Sequence, residues 1–202
     1  AAYVMQFVGP PFTFSIRQVG SNCGAIGQHS IKYVNGAVYW MGESGGFFVY
    51  DGTVKSLPCE VEDFVFTTKN GDNLGVNYQG GESVYAGLNH LYEEICWYYP
   101  KAGSSVNDRY VCFNYSDKTW VTGSLSRTTW VDANLYDVPY ATEFNSTAIP
   151  TFPTIQGVTN INGATTYYAH ETGVDQVDIT GNKTAIPAFI ESGDFSLNIE
   201  GN

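Results

Sequence analysis

The sequence predicts an all-β protein. Short aromatic and β-branched runs alternate with polar residues, tight-turn dipeptides separate the runs, and charge is sparse. Aromatic residues make up 15% of the 202-residue chain and charged residues only 14%, with 22 glycines. That is the profile of aromatic strands joined by Gly-rich turns. A helical bundle would need far more Leu, Glu and Lys.

Period-two alternation or compact apolar runs mark strands at 12–19, 31–41, 46–50, 95–99, 109–115, 119–122, 165–169 and 188–191. Asn35-Gly36, Asp51-Gly52, Asn70-Gly71 and Asn162-Gly163 readily take the positive φ of tight turns, so the strands read as hairpins in series. One helical pattern stands out. From Val61 to Lys69 it places Val61, Phe64 and Val65 on one face and stops at Asn70-Gly71. Thr67-Thr68 weakens it, so a turn or two of helix is expected. Ala1 to Phe7 and Phe195 to Ile199 are themselves strand-like. A chain cut within such a pattern is expected to be a segment of a longer polypeptide or a processed product.

Three segments, near 31–58, 93–125 and 163–193, share an outline: an aromatic strand, a loop, a second strand, a polar hairpin and a third strand. Their spacing of about 55 to 70 residues is wider than that of common propeller repeats but follows the same logic. The expected architecture is one β-propeller-like domain, or part of one, over residues 1–202. Its blades would be antiparallel sheets stacked face to face, a fragment of a larger propeller protein. The alternative is three ordinary hairpins of a β-sandwich.

Twenty acidic residues against nine basic ones give a net charge of −11, which opposes adhesion to DNA or anionic membrane. An acidic wall would instead suit a passage through which DNA slides without sticking. No stretch approaches the roughly 20 apolar residues of a membrane span, and no basic-then-apolar signal opens the chain. Cys23, Cys59, Cys96 and Cys112 form no C-x-x-C pair, so neither a zinc knuckle nor a redox motif is present. Their even number permits two disulfides. Cys96 and Cys112 lie in apolar strand-like runs where a small buried thiol packs well, and reduced cysteines are expected.

Chemical motifs are few. His29, His90 and His170 are isolated from any metal or nucleophile signature and are expected on the surface or in loops. Glu93-Glu94, Glu60 with Glu62 and Asp63, and Asp175 with Asp178 are conceivable acid and base pairs for glycoside hydrolysis, but no spacing selects any of them. Arg17, Arg109 and Arg127 match the number in a sialidase-like carboxylate-binding cluster. Ser116-Asp-Lys-Thr-Trp120 is similar to the sialidase hairpin motif but lacks its Gly and does not repeat. Pairing of Arg17 and Arg109 with local acids is expected instead. Gly42-Glu-Ser-Gly-Gly and Gly80-Gly-Glu lack the Lys-Ser/Thr ending of a phosphate loop, and Asn70-Gly-Asp-Asn-Leu-Gly lacks the ligand alternation of a calcium loop. Trp97-Tyr98-Tyr99-Pro100 with Trp40, Trp120 and Trp130 offers a carbohydrate platform, although recurrence at strand positions favours core packing. The sequence predicts no catalytic residue, cofactor-binding residue or metal ligand, and hence a non-enzymatic protein.

Three runs carry a resemblance: Glu94-Ile-Cys-Trp-Tyr-Tyr-Pro-Lys-Ala-Gly-Ser, Asn107-Asp-Arg-Tyr-Val-Cys-Phe-Asn-Tyr and Trp120-Val-Thr-Gly-Ser-Leu-Ser-Arg-Thr-Thr-Trp130-Val-Asp. With Cys23-Gly-Ala-Ile-Gly, Trp40-Met-Gly and Phe48-Val-Tyr-Asp-Gly, they resemble tail proteins of tailed bacteriophages. The likeness is to the hub, nozzle or stabilisation component below the portal of short-tailed phages, over most of residues 15–193. It implies a β-propeller body, a homo-oligomeric ring about the tail axis, and contacts with adaptor, portal and other tail proteins. It also implies a role in retaining and conducting the genome, with DNA passing unbound, and a place in the virion tail after assembly in the host cytoplasm. No catalytic residue comes with it. Such proteins are usually much longer, and their flanking tail-binding regions are absent here. The polar stretches 71–83 and 131–159 exceed ordinary loop lengths and are the expected partner contacts. A glycan-binding module and a sialidase-like glycosidase are the competing functions.

Overall fold

The computed structural model describes residues 1–68, 75–133, 136–145, 164–173, 175–177 and 182–185. Strands β1 (Ala2–Gly9) and β2 (Thr13–Gly20) pair as a two-stranded ribbon. Strands β3 (Ile31–Val34), β4 (Ala37–Met41), β5 (Phe47–Tyr50) and β6 (Val54–Leu57) form a four-stranded antiparallel meander. The apolar run at 31–41 is thus two strands. Asn35 and Gly36 take φ of 49° and 83°, and two successive positive φ values fold the run into a tight hairpin.

Helix α1 (Glu62–Phe66) carries Glu62 and Asp63 in its first turn, where the partial positive charge of the N-terminus favours carboxylates. It is shorter than its apolar pattern because Thr67 turns extended, with φ −109° and ψ 124°. Val65 is buried, with Val61 and Phe64 packed beside it, so the expected apolar face is the inward one. A 3-10 helix (Tyr78–Ser83) leads into β7 (Tyr85–Asn89), β8 (Glu94–Tyr99), β9 (Arg109–Asn114) and β10 (Trp120–Gly123), a second antiparallel sheet in the order β10-β9-β8-β7. Strands β11 (Thr129–Val131), β12 (Tyr140–Asn145) and β13 (Ala164–Ala169) make a third. All belong to one compact unit, Ala1–Glu171. Strands β14 (Asp175–Val177) and β15 (Lys183–Ala185) pair with each other in a second unit, Thr172–Asn202.

The fold is therefore all-β and antiparallel. Its third sheet differs from the repeat outline. β13 pairs with β12, which comes from the stretch read as a loop, and the rest of the 163–193 segment contributes β14 and β15 to the other unit. The strand expected at 188–191 and the turns at Asn70-Gly71 and Asn162-Gly163 lie outside the described residues.

The pleat of the second sheet divides its side chains between two cores. Ala86, Leu88, Ile95, Trp97, Val111 and Phe113 face the first sheet, packing with Val34, Met41 and Phe47. The Phe47 ring lies 4.8 Å from Trp97 and 4.7 Å from Trp120. Cys96, Tyr98 and Cys112 face the third sheet, packing with Trp130 and Ala141. Three sheets consequently stack face to face, the middle one covered on both sides. Each indole N–H ends on a backbone carbonyl: Trp97 on Ser30 at 2.8 Å, Trp130 on Leu88 at 2.8 Å, Trp40 on Cys23 at 2.9 Å and Trp120 on Pro58 at 2.9 Å. Burial of these large rings leaves no orphan donor.

Gly87 sets the spacing of the second and third sheets. A Cβ there would lie 2.6 Å from Trp130 Cγ, an atom near the root of a packed ring. Gly87→Ala is expected to destabilise the protein by about 1–3 kcal/mol through overpacking, measured as a lowered denaturant midpoint. An unchanged midpoint would mean that Trp130 shifts freely.

Candidate functional site

The densest polar chemistry lies between the second and third sheets. Arg127, in the link from β10 to β11, is 6% exposed. Its Nε donates to His170 Nε2 at 2.8 Å, its Nη1 donates to the Ser126 carbonyl at 2.5 Å, and Glu143 Oε2 lies 3.7 Å from Nη1. The guanidinium sits 4.1 Å above the Tyr168 ring, and the Tyr168 hydroxyl donates to Glu143 Oε2 at 2.9 Å. The pleat explains the grouping: Ala141 stands opposite Tyr168 and Glu143 opposite Thr166, on the inward face of the third sheet. Asn107, itself buried, donates to the Arg127 carbonyl at 3.0 Å and to the Ser83 carbonyl at 2.8 Å.

His170 accepts from Arg127 and packs 4.6 Å from the Trp130 ring. Burial, aided by the adjacent guanidinium, pushes its pKa down to about 4. The imidazole is thus neutral, as its acceptor role requires. Burial also lowers the Arg127 pKa and raises that of Tyr168. All four side chains are engaged by other members of the group, and their chemistry is that of a buried charge neutralised in place rather than of a poised acid or base.

The residues singled out in the sequence are dispersed. Arg17 stands on β2 opposite Val4, and Arg109 Nη1 donates to Ser124 Oγ at 2.8 Å, a hydroxyl rather than the acid expected. Among the described residues the three arginines share no partner, so they form no sialidase-like cluster there. His29 stacks on Tyr85 at 5.5 Å. His90 Nδ1 bonds Asp132, whose Oδ1 also accepts the His90 backbone N–H at 3.2 Å. His170 is in a loop as expected, but tucked inside by Trp130. Glu60, Glu62, Asp63 and Glu93 are exposed, whereas Glu94 is half-buried, its pKa raised by burial and by Glu171. Asp175 lies in the second unit and Asp178 outside the described residues. The 42–46 glycine loop is a turn closed by Gly42 N–H donating to the Gly46 carbonyl at 2.9 Å, and Gly80-Gly-Glu lies in the 3-10 helix. The calcium-like run at 70–75 lies largely outside the described residues. Trp97, Tyr98, Tyr99, Trp40 and Trp130 are core residues, not a carbohydrate platform.

One expectation is corrected. Cys96 and Cys112 are joined in a disulfide, while Cys23 and Cys59 are free. The two residues are direct partners in the β8–β9 register, with Cα atoms 4.0 Å apart, so the pairing that packs them also brings the sulfurs together. Glu94, Cys96 and Cys112 are the one metal-compatible group among the described residues, and the disulfide occupies both sulfurs. Burial pushes the Cys59 thiol up to about 12.

Exposed large apolar side chains lie on the ribbon and on the third sheet, and also at Tyr78, Leu91, Tyr92 and Val121. On the ribbon, Tyr3, Met5, Phe7, Phe14 and Ile16 share one face. On the third sheet, Val131, Tyr140, Phe144 and Tyr167 share the face turned away from Trp130. Tyr140 stacks on Tyr167 at 5.1 Å and meets Tyr136 edge-on at 5.2 Å. No family model matches the chain, and no curated protein matches it.

Thiol titration in denaturant should find two free thiols, and four after reduction; four without reductant would remove the disulfide. The Arg127 group predicts a pH dependence. Between pH 6.5 and 4 the unfolded chain takes up the His170 proton that the fold refuses. Its contribution is therefore complete above pH 6.5 and lost as pH falls toward 4, by at most about 3 kcal/mol. His170→Gln should flatten this part of the profile in denaturant unfolding at pH 7 and 4.5. A variant with the wild-type slope would place the proton elsewhere.

Proposed function

We propose that the chain is a structural, non-enzymatic component of a bacteriophage tail, a hub or nozzle protein that forms a ring below the portal and helps to retain and conduct the genome. The observation that carries this reading is the contrast between interior and ends. Inside the stack Arg127, Glu143, Tyr168 and His170 engage one another, whereas large apolar side chains stand exposed on the ribbon and on the outward face of the third sheet. Exposed apolar surface of this extent marks a site of association.

Two further features support it. Consecutive four-stranded antiparallel meanders stacked face to face in chain order are the layout of successive propeller blades. A net charge of −11 suits a channel wall that DNA must pass without adhering. In this reading the Cys96–Cys112 bond belongs to the particle outside the cell, because cytoplasmic assembly keeps thiols reduced. The stacked Tyr140 and Tyr167 rings favour a second reading, a glycan-binding surface, which a glycan array tests directly.

Electron microscopy of the particle that carries the chain is the test of the tail reading. A ring of density around the tail axis that accommodates the three stacked sheets is the expected result. Particles with the chain absent from the axis, or a chain recovered only as a free monomer, would overturn it.

A further inference from the structure

We propose that copies of this chain associate head to tail, the apolar face of the β1–β2 ribbon of one copy covering the outward face of the third sheet of the next. The inference rests on the assembly reading and names its contact. The ribbon is sharply two-faced. Directly opposed residues share a side, and the register pairs Met5 with Ile16 and Phe7 with Phe14 on one face, Val4 with Arg17 and Gln6 with Ser15 on the other. The five large side chains of the apolar face are each between 51% and 67% exposed.

A two-stranded hairpin is marginally stable in water unless something covers its apolar face. Its base meets the body: Tyr3, Val4 and Val19 border a cleft of about 390 Å³ with Ile31, Val38, Trp40 and Tyr50 of the first sheet. The ribbon is thereby fixed at the first-sheet end of the stack. The third sheet lies at the opposite end, its outward Val131, Phe144 and Tyr167 exposed.

Area and charge select a second copy as the occupant. With aromatic side chains worth roughly 150–250 Å² each when buried, the ribbon face offers on the order of 600 Å², close to the roughly 800 Å² that each partner contributes to a standard interface. Residues 1–20 hold a single charge, Arg17, which lies on the polar face, and the outward positions of β11, β12 and β13 are Thr, Val, Tyr, Phe and Ala. In a chain of net charge −11, these two uncharged ends meet without opposing like charges. Contact between unlike surfaces repeats from copy to copy and closes into a ring when the rotation permits.

Sedimentation velocity of the full chain over a concentration series tests this with two double variants: Met5→Lys with Ile16→Lys on the ribbon, and Val131→Lys with Tyr167→Lys on the third sheet. Each should weaken association roughly tenfold or more, since an unpaired ammonium would be buried, while Gln6→Lys on the polar face leaves association intact. Denaturant midpoints near wild type establish that the variants fold. Mixed together, the two double variants should form a 1:1 complex and nothing larger, because each retains the face that the other lacks. A double variant that still self-associates through its surviving face would mean that like faces pair, and a mixture that stays monomeric would mean that the two surviving faces do not bind each other; either overturns the head-to-tail contact. A wild-type oligomer that neither double variant disturbs also overturns it, yet leaves the assembly reading standing. A wild type that is monomeric throughout removes both.

Discussion

The double burial of the second sheet is the constraint on which the rest of the structure depends. The apolar and cysteine residues of β8 and β9 are divided between two cores by the pleat, and a slip of one residue would exchange the whole assignment. Trp97 would then be driven toward Gly87 and Trp130, where there is no room even for a Cβ. Cys96 would face Phe47, leaving a void where the indole had been. Register is therefore specified from both sides at once, and the Cys96–Cys112 bond joins residues that stand directly opposite in it.

The same constraint explains where polar chemistry is tolerated. Toward the first sheet the core is aromatic and aliphatic, and its indole donors reach outward to loop carbonyls at Ser30 and Pro58. Toward the third sheet the packing is thinner, with Gly87, Cys96 and Cys112 in place of large side chains. Arg127, Glu143 and Tyr168 lie on that side with their polar atoms satisfied by one another. Burying the guanidinium carries a desolvation penalty, which the Glu143 carboxylate and the Tyr168 ring face offset. A neutral His170 completes the arrangement by accepting where a charged one would repel.

Legibility in the sequence followed the physics of each strand. The first sheet and β8, β9 and β10 were readable because their apolar runs are punctuated by turn residues such as Asn35-Gly36. β7 was not: Tyr85-Ala-Gly-Leu-Asn holds only two large apolar residues, and a strand buried on both faces shows no alternation. β12 was hidden because Thr142 and Glu143 read as loop, although a Glu between Ala141 and Phe144 was the one available hint of an inward charge. The disulfide was written in the register rather than in the composition. Once β8 and β9 are paired, Cys96 can only face Cys112. The Arg127 group joins positions 43 residues apart, and no local pattern announces such a meeting.

Charge distribution bears on the proposed contact between copies. At physiological salt, repulsion between acidic copies is screened beyond about 8 Å, so it acts only when surfaces come close, and it acts there on every face that carries carboxylates. The ribbon face and the outward face of the third sheet are free of them. Net acidity then disfavours side-by-side contact between copies while leaving end-on contact unopposed. In the proposed contact the attraction comes from the apolar area at those ends. In the proposed head-to-tail contact the two carboxylate-free ends of successive copies meet, and the rotation between one copy and the next decides whether the series closes into a ring.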